Sequence, residues 1–227
     1  MAMRAEVMRN MWRAAGVLSG FAVLGALLVA VTWDSTAERI AANERAFLLR
    51  TLAEVLPAGE YDNAVHEDAI TVQDPELLGT SEPVTVYRAR DGQVPVAAVL
   101  TPTAPLGYSG PLRLLVGIRA DGRLSGVRVV SHRETPGLGD KVEVERSDWI
   151  LGFKGLSLQQ PRPQDWAVQR DGGAFDQFTG ATITPRAVVS AVRDALIYFE
   201  QHRDALFAAP AGSEGLPAPA TGNEEQQ

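Results

Sequence analysis

Along the first quarter of the chain the apolar residues come as one unbroken block and then at helical spacing. From Ala14 to Trp33 the sequence AAGVLSGFAVLGALLVAVTW carries no charge over twenty residues. At about 1.5 Å per residue, such a helix reaches the roughly 30 Å of a bilayer core. The block predicts a transmembrane helix over 14–33, with Trp33 suited to the membrane interface. A secretory signal peptide is the rival reading, because Arg4, Arg9 and Arg13 make a positive flank, but no convincing small-x-small cleavage site follows. Gly16 and Gly20, with Ser19 beside them, either form a surface on which another helix packs or are ordinary residues of a membrane helix.

Past the block, Ser35-Thr36-Ala37-Glu38 fits a capping box, and Ile40, Phe47, Leu48, Leu52 and Val55 recur at helical spacing until Pro57. This predicts a helical stalk over 34–57. The pattern then shifts to short runs rich in Val and Leu: Val84 to Arg90, Val94 to Thr101, Leu112 to Arg119 and Leu124 to Ser131, with the turn pairs Asp91-Gly92 and Asp121-Gly122 between them. An antiparallel sheet or meander is expected there. Asp148 to Phe153 predicts a short helix, Trp166 to Arg170 a strand, and Arg186 to Phe207 a long amphipathic helix with Val189, Val192, Leu196 and Phe199 on its apolar face. Residues 209–227 are Ala, Pro, Gly, Glu and Gln without an apolar period, and a disordered tail is expected. The sum is an N-terminus over 1–13, a span, a stalk, and one domain of α+β class over 58–208, large enough to hold a core.

Charge sets the topology. Three arginines and Glu6 precede the span, whereas acid and base alternate after it from Asp34 onward. The positive-inside rule then puts residues 1–13 in the cytoplasm and the domain on the outer side, which in a bacterium is the periplasmic face of the inner membrane. With 28 acids against 21 bases the net charge is -7, and the arginines do not cluster, so no nucleic-acid partner is expected. The chain has no cysteine, which excludes disulfides, thiolate-held metals and thiol nucleophiles. Three scattered histidines, His66, His132 and His202, do not suggest a metal centre.

Two segments carry candidate chemistry. In the first, Ser131-His132-Arg133-Glu134-Thr135-Pro136-Gly137-Leu138-Gly139-Asp140-Lys141, glycines around one leucine would let backbone approach a flat ligand; a Pro-Gly turn after a strand is also an ordinary turn. The second, Asp176-Gln177-Phe178-Thr179-Gly180-Ala181-Thr182-Ile183-Thr184-Pro185, leads into the long helix. Thr184 before Pro185 reads as an N-cap and N1 pair, which leaves Thr182 just ahead of a positive helix end that favours an anion. Without a following lysine this is no Walker loop.

The run Asp176-x-x-Thr179-Gly180-Ala181-Thr182 resembles the signature at which a flavin transferase attaches FMN to threonine by a phosphoester bond. With Glu134-Thr135-Pro136-Gly137-Leu138-Gly139 and Gly107-Tyr108-Ser109-Gly110-Pro111, the chain resembles the G subunit of the Rnf ion-translocating electron transport complexes. The C subunit of the sodium-pumping NADH:quinone reductase is a near relative and shares the first two motifs. The resemblance implies FMN bonded to Thr182, a recognition sequence and phosphate wall from Asp176, Thr179, Gly180 and Ala181, and a flavin-lining segment of Glu134, Thr135, Gly137, Leu138 and Gly139. Arg133 stands where many relatives carry histidine. The resemblance further implies partners among the other Rnf subunits, a flavin transferase for maturation, and membrane lipid. The expected role is electron transfer coupled to ion movement between ferredoxin and NAD, with no acid or base residue of its own; the alternative role is a membrane-tethered FMN-binding sensor or accessory domain.

Overall fold

The computed structural model describes residues 2–216, with side chains from residue 8 onward. It divides into two compact units, Met1–Leu48 and Leu49–Gln227. The first consists of helix α1 (Ala2–Val55) up to the division. Apolar side chains all round this helix are exposed, Leu18, Phe21, Val29 and Trp33 each by about 70%. A helix that is apolar on every face and buries none of it is suited to lipid.

The expected capping box does not start a helix. α1 runs through Ser35 without a break, and the hydroxyls of Ser35 and Thr36 donate to the Thr32 carbonyl at 2.9 and 2.8 Å. A cap requires the chain to enter from a non-helical residue; here the preceding turns are already helical, so the hydroxyls bond back to the previous turn. The stalk is thus a continuation of α1.

In the second unit, the end of α1 buries Thr51, Leu52, Val55 and Leu56. Six antiparallel strands follow: β1 (Ala69–Val72), β2 (Val84–Asp91), β3 (Val94–Leu100), β4 (Thr103–Ala104), β5 (Leu112–Arg119) and β6 (Leu124–Ser131). The sheet runs β1-β2-β3-β5, with β4 continuing along β5 after β3 and with β6 on the other side of β5. Period-two alternation puts Leu114, Val116 and Ile118 of β5 on one face and Leu115 and Gly117 on the other. The first face packs under helix α2 (Ile183–Ala208), through Val188, Val189, Val192, Leu196 and Phe199. On the second face Gly117 pairs with Gly126, and a Cβ at Gly117 would stand 2.3 Å from the Val55 carbonyl oxygen. Only the absence of side chains there lets the last turn of α1 lie on the sheet.

β1 was not expected, since four residues among polar neighbours give little periodicity. Trp166 to Arg170, expected as a strand, forms a single bridge from Val168 to Phe175 and then a 3-10 turn at Gln169–Asp171. Its order comes from an aromatic cluster, in which Phe153 stacks on Phe175 at 4.9 Å and Trp166 lies 5.1 Å from Phe175, and not from a ladder. Asp148–Phe153 is helical as expected, but as a 3-10 helix. Residues 209–216 pair with β1: Gly212 N–H donates to Ala69, Thr71 N–H to Ser213, and Gly215 N–H to Thr71, at 2.7, 3.0 and 2.7 Å. The start of the expected disordered tail therefore covers a sheet edge; residues 217–227 lie outside the described residues.

Two arginines close the C-terminal end of α2. Arg88, 1% exposed, donates to the carbonyls of Leu206 and Ala209, and Arg90 to that of Phe207 at 2.7 Å. Both also pair with Asp68. Cations at a helix C-terminus satisfy its orphan carbonyls and complement the dipole. Arg88→Ala is expected to cost about 3–5 kcal/mol, because it leaves Asp68 and the helix end without their buried partner; urea unfolding of the full chain in detergent measures it. Tyr198 gives a second expectation. Burial, and then the charge of Asp74, push its phenol up to about 12 from the ordinary 10.0. The folded chain holds that proton longer than the unfolded one, so the contribution is present below pH 10 and lost as pH rises towards 12. Tyr198→Phe should flatten the fall in stability across that window, read by urea unfolding at successive pH values.

Candidate functional site

After β6 the chain turns on His132. Its Nδ1 accepts the Glu134 N–H at 3.0 Å, so the ring proton sits on Nε2 and is donated to Glu143 at 2.8 Å. The next turn places Pro136 and Gly137 at its centre, with the N–H groups of Leu138 and Gly139 both on the Thr135 carbonyl at 3.1 Å. Gly137 has φ 80°, as the third position of a type II turn requires. The turn leaves Thr135, Gly137 and Leu138 exposed.

Glu134 points the other way. It is 6% exposed, and its carboxylate accepts the Ser109 N–H at 3.1 Å on Oε1 and the Thr184 hydroxyl at 2.6 Å on Oε2. The residue expected to line a flavin instead ties three segments together: 107–111, 134–139 and the start of α2. Two glycines make room for it. A Cβ at Gly139 would stand 2.6 Å from Oε2, and one at Gly107 would stand 3.0 Å from Oε1 and 2.2 Å from the Gly110 carbonyl oxygen. These motifs, separate in sequence, meet at one carboxylate.

The segment before α2 is anchored from below. Trp149 donates its indole N–H to the Asp176 carbonyl at 2.9 Å and packs edge-on against Phe178 at 5.1 Å. Phe178 is buried, and a turn from Phe178 to Ala181 closes with a 3.1 Å hydrogen bond. Gly180 holds φ 83° in that turn, leaving Thr179 and Gly180 at its exposed tip. Leu138, 42% exposed, comes within 3.5 Å of where a Gly180 Cβ would be. The two motif turns thus lie side by side.

Three threonines on this segment have distinct surroundings. Thr179 is exposed on the turn. Thr182 is half-buried at the N-cap position of α2, and its hydroxyl makes no capping bond. Thr184, expected as the cap, lies inside the first turn, is fully buried and spends its hydroxyl on Glu134. The helix starts at Ile183, earlier than the Arg186 expected, because the Glu134 bond holds Thr184 in the helical turn and Pro185 is compatible with any first-turn position. The positive end of a helix of 26 residues is thereby left open beside Thr182. Nearby, Arg186 grips Asp171 through two bonds of 2.6 and 2.8 Å and holds its carboxyl below the usual range.

Two clefts of the domain lie elsewhere, one beside β1 and the middle of α2 and one around Asp68 and Arg88. The exposed motif residues Thr135, Gly137, Leu138, Thr179 and Gly180 form an open face. Asp176 and Ala181 complete that face, the first through its backbone carbonyl and the second through its bridge to Phe178. Sequence reasoning missed His132 and Trp149 as supports, and a histidine two residues before the glutamate was the available signal for the first.

Residues 107–197 match the FMN-binding domain family, and residues 1–55 match the RnfG N-terminal region. The chain is 48% identical over 193 residues to the G subunit of the ion-translocating oxidoreductase complex of Pseudoalteromonas atlantica, covering 85% of this chain and 90% of that protein. It is 49% identical over 206 residues to the protein of that name from Pseudomonas aeruginosa, covering 91% and 96%. The Shewanella loihica protein of the same name is 46% identical over 206 residues, covering 91% and 97%.

Glu134→Ala would strand the buried Thr184 hydroxyl, at about 1–3 kcal/mol, and release the N–H of exposed Ser109 to water. The expected outcome is a lower unfolding midpoint, with faster amide exchange at Ser109, whereas Thr135→Ala on the exposed turn leaves both unchanged.

Proposed function

We infer the role of this chain from the family to which it belongs, the G subunits of the ion-translocating oxidoreductase complexes, the Rnf complexes: it is their redox subunit carrying FMN on Thr182 through a phosphoester bond. Bound FMN supplies one- and two-electron transfer, and the electrons pass within a membrane complex that couples transfer between ferredoxin and NAD to ion movement. The names of the relatives favour this reading over the sodium-pumping NADH:quinone reductase and over a free-standing sensor domain.

The observation that carries the attachment is the sorting of the three threonines. Thr182 combines a hydroxyl without a capping bond with the positive end of α2, where an anion gains about 0.3–1 kcal/mol and more if partly buried. Thr184 cannot compete, because its hydroxyl is buried and already donated. Asp176, Thr179, Gly180 and Ala181 form the turn that a flavin transferase would read, and the exposure of Asp176, Thr179 and Gly180 fits that use. Thr135, Gly137 and Leu138 would meet the ring, with Leu138 as the apolar contact and the Thr135 hydroxyl as a donor, while Gly139, buried behind them, would keep the turn closed on the Thr135 carbonyl. The chain's own task is to orient and retain the cofactor. An open face retains a freely dissociating ligand poorly, and a covalent bond removes that loss. The positive flank of α1 favours a cytoplasmic N-terminus, with the domain on the periplasmic side of the bacterial inner membrane.

Mass spectrometry of the peptide spanning Thr182 should show the mass of FMN less water, and flavin fluorescence should survive denaturing electrophoresis. Thr182→Val should abolish both, while Thr184→Val should keep the bond at Thr182 and lower the unfolding midpoint. A bond mapped to Thr179 or Thr184 would overturn the assignment.

A further inference from the structure

At the middle of α2, more than a dozen residues from Thr182, a cleft of about 710 Å³ opens between the helix, β1 and the segment that covers the β1 edge. Its floor is Tyr198, 2% exposed, whose ring stacks on His202 at 4.4 Å and 23°. The Tyr198 hydroxyl lines the cleft without a hydrogen-bond partner among the described residues. His202 donates from Nδ1 to the Tyr198 carbonyl at 3.0 Å, which leaves Nε2 as an acceptor.

The charged groups facing this space are acidic. Asp74, on the turn after β1, uses Oδ1 to accept the N–H groups of Glu76 and Leu77 at 3.1 and 3.0 Å, and Oδ2 remains open. Glu214 comes from the covering segment, where the hydrogen bonds of Thr71 fix the backbone on either side of it. Neither carboxylate has an ion-pair partner among the described residues, and no Lys or Arg lines the cleft. Val72 and Leu216 supply apolar walls.

We propose that this cleft is a docking socket for an arginine side chain presented by a partner protein of the membrane complex. A planar guanidinium matches the arrangement. It can lie along the aromatic pair, give two carboxylates a donor each, and offer further N–H groups to the Tyr198 hydroxyl and His202 Nε2. Lysine has one compact charge and cannot serve acceptors spread over several directions at once. The chain's own continuation, residues 217–227, is a poor occupant: it carries Glu224 and Glu225 and no base, so like charges would meet in the cleft. The raised phenol of Tyr198 agrees with an unmet acidic field, since Asp74 contributes to it after burial. The proposal does not depend on where the flavin is attached.

The test uses the full chain in detergent micelles, with labelled Tyr and His rings, titrated with acetyl-arginine amide and with its neutral isostere acetyl-citrulline amide. The arginine probe should move the Tyr198 and His202 resonances saturably. The combined variant Asp74→Asn with Glu214→Gln should weaken that response about tenfold, as expected for loss of two charge pairs in a shared site, while its unfolding midpoint stays unchanged. The same variant should be recovered several-fold less with the tagged remainder of the complex from native membranes. An equal response to citrulline overturns the proposal. So does a response that appears only after residues 217–227 are removed, which would make the tail the occupant. Undiminished recovery with the complex overturns the partner and leaves a site for small free cations.

Discussion

A single buried carboxylate, that of Glu134, accepts one backbone N–H and one hydroxyl from segments that lie 25 and 50 residues away in sequence. Burying such a group is expensive unless it is satisfied, and each bond made there fixes a loop that would otherwise be free. Ser109 belongs to the loop before β5, Thr184 to the first turn of α2, and Glu134 itself to the loop after β6. The missing side chains of Gly107 and Gly139 are what let the three backbones come that close. From this one node follow the start of α2, the position of Thr182 one step outside it, and the contact of Leu138 with the Thr179-Gly180 turn.

Helix α2 carries that placement across the domain. Its 26 residues extend about 39 Å, and its two ends are treated differently. At the C-terminal end Arg88 and Arg90 occupy the carbonyls, so the negative pole is neutralised within the protein. At the N-terminal end no side chain of the cap residue does so, and the positive pole is left for something outside the chain. The asymmetry would suit the proposed phosphate site: the helix is pinned by its core face and its far end, and the cap residue at its near end makes no side-chain bond.

The division of labour among the glycines and hydroxyls follows the same logic. Gly137 and Gly180 shape two turns whose tips face outward side by side, while Gly117 and Gly126 face inward and seat the last turn of α1. Thr184 is structural and Thr182 is presented, although they are two residues apart and chemically identical. His132, which has the look of a proton relay beside Glu134, is a hinge pin: one nitrogen accepts from the loop backbone and the other donates to Glu143.

Periodicity and composition were enough for the long apolar N-terminal helix, the four long strands, the second long helix and the α+β class, because each depends on side chains within a few residues of one another. The FMN-binding family was legible as well, since its motifs are local strings. What local pattern could not supply is anything decided by contacts between distant segments. The hydroxyls at Ser35 and Thr36 look like a cap, but become mid-helix groups once the turns before them are helical. Trp166 to Arg170 looks like a strand, but forms only a single bridge, to Phe175, and is held by packed rings instead. Residues 209–216 lack any apolar period, yet pair with β1 because that edge needs covering. Glu134 reads from the sequence as part of a flavin-lining turn and Arg88 carries no signal there, and only the fold brings each the partners that permit its burial. Sequence alone therefore determined the elements and the motif strings; the tertiary structure decided that Thr184 is a buried structural hydroxyl, because it alone places a carboxylate against Thr184 and leaves Thr179 and Thr182 without one among the described residues.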